Sequence, residues 1–303
     1  MKMPNHAIIK EVGPRDGLQN EASILATEHK VEWINHLSET GLSYIEISSF
    51  VHPKWIPQLA DALEVARNIQ RHSQVTYAAL VPNKIGLKRA LEANLDEISV
   101  FMSASETHNK KNINKTIAET LPVLESIVRE AKQHGLSVRG YLSTVFGCPY
   151  EGEVAIDQVI TLSQSLFNMG IDELSLGDTI GVANPKQVAN ILIRLREAFP
   201  HKNIALHFHD TRGTALANCL TALQLGFNTF DSSLGGLGGC PYAKGASGNL
   251  ATDDLLYMLE GMGIATGINR KKLLQAAQYI QGVLPQPLPS HHMQIFAKGG
   301  NPL

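Results

Sequence analysis

The chain has 303 residues, 44% hydrophobic and 18% charged, with 26 Lys and Arg against 28 Asp and Glu for a net charge of −2. That balance leaves no basic field to concentrate nucleic acid, and a composition this apolar, without blocks of like charge, argues against disorder. Cys148, Cys219 and Cys240 are too few for a disulfide framework, and neither a signal-peptide core nor an uncharged apolar run of about 18 residues is found, so no membrane span and a cytoplasmic protein are expected.

In chain order, short apolar runs rich in β-branched residues recur at 7–12, 44–48, 75–80, 97–101, 138–142, 173–176, 204–209 and 229–234. Their spacing of about 30 to 40 residues is that of a strand, a loop, a helix and a return loop. Helical patterns lie between them. Segment 28–42 places Val31, Ile34, Leu37 and Leu42 on one face, and Gly41 ends it. Segment 116–135 carries Ile117, Leu121, Leu124, Ile127, Val128 and Ala131 at three-four spacing and is closed by Gly135. Segment 184–199 opens with Pro185, where the missing N–H costs nothing. Eight such units predict an α/β chain folded as a (β/α)8 TIM barrel. An open doubly wound sheet is the rival, but the first run leads into Gly13-Pro14-Arg15-Asp16-Gly17, which lacks the dinucleotide-binding glycine spacing. Two additional C-terminal helices, 252–263 and 269–284, precede a tail rich in Pro and His. The expected organisation is one barrel domain over 1–303, with 250–285 as a helical addition and 286–303 as a flexible tail.

In a parallel barrel, chemistry gathers where the loops after the strands form one mouth. Arg15 and Asp16 follow the first strand, Glu46 lies inside the second, and Arg139 and Tyr141 lie in the fifth with Cys148 beyond it. Asp178 follows the sixth strand, His207, His209 and Asp210 finish the seventh, and the loop 235–249 follows the eighth. Residues two apart in a strand face the same side, so His207 and His209 can converge on one ion, with Asp16 offering a carboxylate. Two imidazoles and a carboxylate with open positions suit a divalent ion that also holds substrate oxygens; two satisfied core histidines are the plainer alternative. Arg15 can hold a developing enolate or thioester oxygen, or form an exposed turn ion pair. Glu46 and Asp178 can orient the histidines or Arg15. The glycine-dense stretch 235–242 suits a lid; its Cys240 is either a packing residue or a thiol that delivers a proton, and Asn249 can bring a neutral oxygen ligand to the mouth.

The motifs EVGPRDGLQNE at 11–21, SLGDTIG at 175–181, HFHDT at 207–211 and GGLGGCPY at 235–242, the last ending in GASGN at 245–249, resemble those of the 3-hydroxy-3-methylglutaryl-CoA lyases. The likeness runs from about residue 7 to 285. The Arg-Asp-Gly and His-x-His elements are shared with a wider set of metal-dependent barrel enzymes, whereas the GGLGGCPY loop narrows the resemblance to the lyases. It implies a divalent cation, Mg2+ or Mn2+, held by Asp16, His207, His209 and Asn249. It implies that Arg15 binds substrate and neutralises the enolate of the departing acetyl-CoA, that Cys240 takes part in proton transfer, and that Glu46 and Asp178 support the site. The general base is left as Asp16 or His207. The implied reaction splits 3-hydroxy-3-methylglutaryl-CoA into acetyl-CoA and acetoacetate, so the expected partner is an acyl-CoA substrate, and the expected assembly is a homodimer. The alternatives are the same chemistry on a longer-branched 3-hydroxyglutaryl-CoA, an acetyl-CoA/2-oxo-acid condensing synthase, and a non-catalytic CoA- or metal-binding barrel. Two departures stand out: Ala22 where many members carry Lys, and Arg212 where an aromatic is frequent.

Overall fold

The computed structural model describes residues 3–240 and 243–300. Eight parallel strands close into a barrel in sequence order: β1 Ile8–Glu11, β2 Tyr44–Ser49, β3 Thr76–Leu80, β4 Glu97–Ser103, β5 Ser137–Ser143, β6 Glu173–Asp178, β7 Asn203–Phe208 and β8 Thr229–Ser232. The seam is β1 on β8, in register from Ile8 opposite Thr229 to Glu11 opposite Ser232. Around it lie α1 Thr27–Ser38, α2 Ala62–Asn68, α3 Lys84–Glu92, α4 Glu106–Ile113, α5 Ile117–Gln133, α6 Ile156–Met169, α7 Pro185–Ala198 and α8 Ala215–Gln224. Beyond β8 come a two-stranded antiparallel hairpin, β9 Gly239–Cys240 and β10 Ala243–Ser247, and then α9 Thr252–Gly261, α10 Arg270–Val283 and α11 His291–Ala297. Among the described residues no helix is long and apolar enough to cross a membrane.

The strands are buried on both faces, which is why they read as nearly continuous apolar runs. Ile45 and Ile47 of β2 face the main core between strands and helices, while Glu46 between them faces inward. Helix ends follow local chemistry. The Asn184 side chain accepts the Gln187 N–H with Pro185 in the first turn, and Thr116 with Glu119 forms a reciprocal capping box on α5.

The interior of the barrel departs from the usual filling of branched aliphatic side chains. Lys10, Glu173, Arg139 and Asp231 form a buried chain of ion pairs that climbs toward the mouth: Lys10 Nζ lies 2.7 Å from Glu173, Arg139 Nε 2.7 Å from Glu173, and Arg139 Nη2 2.6 Å from Asp231. Arg139 grips Asp231 with both terminal nitrogens, the bidentate geometry that compensates burial of a charge pair best.

The stretch after β4, which carries Lys110 and Lys111, is helix α4, started by the Ser105 hydroxyl accepting the His108 N–H and ended by Asn114 at φ +56°. The segment read as a flexible tail contains α11, and it buries Leu288, Ser290 and Met293.

Candidate active site

The first strand ends in a tight turn, Gly13–Gly17, in which the Val12 carbonyl accepts the N–H groups of Arg15 and Asp16 at 3.1 and 2.7 Å. The turn aims both side chains into the mouth of the barrel, where they are buried, so the exposed-turn alternative for Arg15 and Asp16 is excluded. The Arg15 guanidinium pairs with the Asp16 carboxylate and donates from Nε to Glu46 Oε2 at 2.5 Å. Tyr141 donates to the same Glu46 oxygen at 3.2 Å and accepts from Arg139 Nη1 at 2.7 Å. Glu46 Oε2 thus holds two donors, the Arg15 Nε and the Tyr141 hydroxyl.

His207 and His209 arrive from the end of β7 with ring centroids 5.3 Å apart, and His209 forms a backbone bridge to Asn249. Ligand atoms of Asp16, His207 and His209 all lie within 4.8 Å of one another. His207 Nδ1 lies 3.2 Å from Asp231 Oδ2; a carboxylate only accepts, so Nδ1 carries the hydrogen and Nε2, 3.7 Å from Asp16 Oδ2, faces the cluster. Among the described residues, His209 Nδ1 and Asn249 Oδ1 are buried without a hydrogen-bond partner. Orphaned lone pairs of this kind are costly unless something satisfies them, and one carboxylate, two imidazoles and a carboxamide oxygen are a donor set that fits a divalent cation.

Burial disfavours every charge here, and neighbours decide which survive. Burial pushes the Asp16 carboxyl up, but Arg15, His207 and His209 together outweigh it and hold it below its ordinary value. Burial works against the Arg15 charge, and Asp16 and Glu46 overcome that, so the guanidinium stays protonated. At His207 burial lowers the pKa, while the Asp231 hydrogen bond and the charges of Asp16 and Asp231 raise it further than burial lowers it. His209 drops to about 4 through burial and the neighbouring His207, which leaves a neutral ring with a lone pair to offer.

Asp178 takes a different place from the one expected. Its carboxylate accepts the Val182 and Ala183 N–H groups at 2.9 and 3.0 Å, closing its own loop and touching neither histidine nor Arg15, and burial pushes it up to about 6. Arg212 braces that loop by donating to the Ile180 and Gly181 carbonyls. Cys148 belongs to a turn, buried beside the Ser105 hydroxyl. The Cys240 side chain lies outside the described residues; the backbone there forms β9 of the hairpin over the mouth. Asp231 escaped the sequence reading, although a carboxylate between Phe230 and Ser232 in a buried strand was the available signal.

A cavity of about 660 Å³ opens from this cluster. Arg15, Asp16, His207 and His209 lie at its inner end, Phe101, Tyr141, Leu80 and Val51 form an apolar side, and Trp55 and Lys115 also line it. Its lining includes Lys115 but neither Lys110 nor Lys111; the Lys111 ammonium sits over the Tyr150 ring. A pocket that joins a polar cluster to an apolar wall suits a ligand with a small polar end and an apolar or amphipathic remainder.

A protein-family model described as HMGL-like matches residues 6–280. The chain is 62% identical over 296 residues to hydroxymethylglutaryl-CoA lyase YngG of Bacillus subtilis, covering 98% of this chain and 99% of the relative. A crystal structure of the Bacillus subtilis HMG-CoA lyase matches with a TM-score of 0.97 at 61% identity, over 98% of this chain and 100% of that one. A structure of an HMG-CoA lyase from Acinetobacter baumannii, in complex with coenzyme A and 3-methylmalate, matches with a TM-score of 0.92 at 41% identity, over 99% of this chain and 97% of that one.

Proposed function

The chain belongs to the HMGL-like family, and we propose that it cleaves 3-hydroxy-3-methylglutaryl-CoA to acetyl-CoA and acetoacetate. It is a hydroxymethylglutaryl-CoA lyase, a carbon–carbon lyase, like the relatives that match it over nearly its whole length. The observation that carries this is a permanently charged guanidinium, Arg15, fixed beside the buried cluster of Asp16, His207 and His209 in the lining of one cavity.

In this reaction the C3 hydroxyl loses its proton and becomes the ketone of acetoacetate. The C2–C3 bond breaks, its electron pair moves onto the thioester as an enolate, and a proton delivered to C2 completes acetyl-CoA. Asp16, His207, His209 and Asn249 would hold a divalent cation, Mg2+ or Mn2+, which when bound would supply Lewis-acid polarisation of substrate oxygens. Arg15 binds the thioester oxygen and stabilises the negative charge that develops there. Glu46, which accepts from Arg15 Nε and from Tyr141, keeps the guanidinium from swinging out of the mouth. Asp231 fixes the His207 tautomer, so that Nε2 rather than N–H meets the cluster. The hydroxyl proton passes to an Asp16 carboxylate oxygen, or to His207 Nε2 in a site where that nitrogen does not hold the cation. Cys240, on the hairpin that follows β8, takes part in returning a proton to C2. Asp178 supports the site at one remove, by shaping the loop after β6 beneath His207.

The substrate is an acyl-CoA thioester, and the enzyme acts as a cytoplasmic homodimer. The test is product analysis: acetyl-CoA and acetoacetate in equal amounts from the lyase substrate support the assignment. Thiol release from acetyl-CoA plus a 2-oxo acid, without lyase turnover, would favour the condensing synthase.

A further inference from the structure

Segment 234–239 leads from β8 into the hairpin that bears Cys240, and it is packed on both sides. Toward the mouth, the Leu237 carbonyl accepts from Asn249 Nδ2 at 3.3 Å, and Gly238, at φ +122°, sits so close to Asn249 and Gly17 that a Cβ would lie 2.8 Å from Asn249 Nδ2. On its other side lies the C-terminal tail. The Gly235 carbonyl accepts the Ser290 N–H at 2.9 Å, and Leu288 fills the space over Gly235, where a Cβ would meet it at 2.6 Å. Asp253 joins the two by accepting the Gly235 N–H at 2.9 Å and the Ser290 hydroxyl at 2.5 Å.

What holds the tail there is its neighbour, Asp254. One carboxylate oxygen accepts the His291 N–H at 3.0 Å and faces His291 Nδ1 at 2.9 Å; the other accepts the His292 N–H at 3.1 Å and faces His292 Nδ1 at 2.8 Å. Each Nδ1 therefore carries its hydrogen toward the carboxylate. All four contacts are charge-assisted, and both carboxylate oxygens are engaged by protein donors. A surface tail needs no such grip to remain soluble, and the segment it fixes backs directly onto the proposed ligand Asn249.

We propose that residues 288–293 are a positioning strap for the glycine-rich loop, set by the grip of Asp254 on His291 and His292. The strap refines the lyase assignment above and rests on it only for its kinetic consequence. With the strap docked, segment 234–239 is confined between the tail and Asn249, and the hairpin beyond it is held over the mouth. With the strap released, the root of the hairpin loses Leu288 and the Gly235–Ser290 hydrogen bond, keeps its contacts with Asn249, Glu11 and Asp253, and the loop samples more open arrangements.

The test is the full-length double variant His291→Ala/His292→Ala, compared with wild type and with His292→Asn, whose amide can replace the Nδ1 donor. The His291 and His292 side chains are 77% and 13% exposed, and their truncation removes both imidazole donors of the grip while the two backbone N–H donors stay. Cys148 and Cys219 are buried, so alkylation by iodoacetamide, mapped by peptide mass, reports on Cys240. The double variant is expected to alkylate about tenfold faster and to lose about tenfold in kcat with KM for the thioester little changed, as the loss of roughly two net hydrogen bonds predicts. His292→Asn is expected to match wild type in both. Unchanged alkylation and kcat in the double variant would overturn the strap, as would a loss that merely tracks unfolding and that His292→Asn shares. Absence of turnover in the wild type with the alkylation contrast intact would instead overturn the lyase assignment and leave the strap standing.

Discussion

In the proposed reaction the chemistry turns on Arg15, because among the described residues it is the one buried cation that is both paired and in the lining of the cavity. Its two carboxylate partners fix it in place before substrate arrives, and preorganised charge of this kind is worth more than charge that must reorient. Arg15→Gln should lower kcat by about 10²–10³, roughly 3–4 kcal/mol of transition-state stabilisation, while Mn2+ still binds. Turnover near the wild-type value would remove the enolate role from Arg15. Asp231 makes a separable contribution, since it touches His207 and Arg139 but does not line the cavity. Asp231→Asn keeps the shape but not the charge, so His207 loses its fixed tautomer and Mn2+ affinity should fall about 10–100-fold, measured by paramagnetic resonance on the metal-stripped protein. An unchanged dissociation constant would mean that His207 orients without it. Arg15, Asp16, His207 and His209 were legible in the sequence because loops after parallel strands share one mouth and residues two apart share one face. Asp231 was not, because its partner Arg139 is 92 residues distant, and only the barrel's closure brings them together.

At the level of elements, Glu11 ties three of them together. One oxygen accepts the N–H groups of Gly13, in the turn after β1, and of Leu234, in the loop after β8; the other accepts the Thr252 hydroxyl at the start of α9. Burial raises its pKa from 4.5 to about 7 despite these donors. Between those pH values the folded protein holds a proton that the unfolded chain has released, so the Glu11 contribution to stability is full below about pH 4.5 and declines as pH rises through about 7. Wild type should therefore lose stability relative to Glu11→Gln on going from pH 5 to pH 8, by up to about 3 kcal/mol, read from paired urea titrations. A difference independent of pH would show that Glu11 is ionised in the fold. The eight strands were readable because double-sided burial leaves an uninterrupted apolar run. Helix α4 was not, because it buries only His108 and Asn109 and has no apolar stripe; its start is a cap, Ser105, rather than a periodicity. The tail helix α11 was hidden for a related reason, since its docking depends on Asp253 and Asp254 nearly 40 residues earlier.

At the scale of the whole molecule, the barrel brings together residues from both ends of the chain. Asp16 stands at the end of β1, His207 and His209 at the end of β7, and Asn249 beyond the hairpin, and the seam between β1 and β8 is what makes them neighbours. The charged interior beneath them, from Lys10 through Glu173, Arg139 and Asp231, fixes the floor of the site electrostatically rather than by aliphatic packing. Such a floor is rigid only while each charge keeps its partner, which ties the barrel's integrity to the geometry of His207. The most direct test of the central claim is the conversion of 3-hydroxy-3-methylglutaryl-CoA by protein freed of metal with a chelator and then resupplied with Mg2+ or Mn2+. Acetyl-CoA and acetoacetate should form in equal amounts only after the ion is restored, and cleavage that continues at its full rate in the chelated protein would contradict the claim.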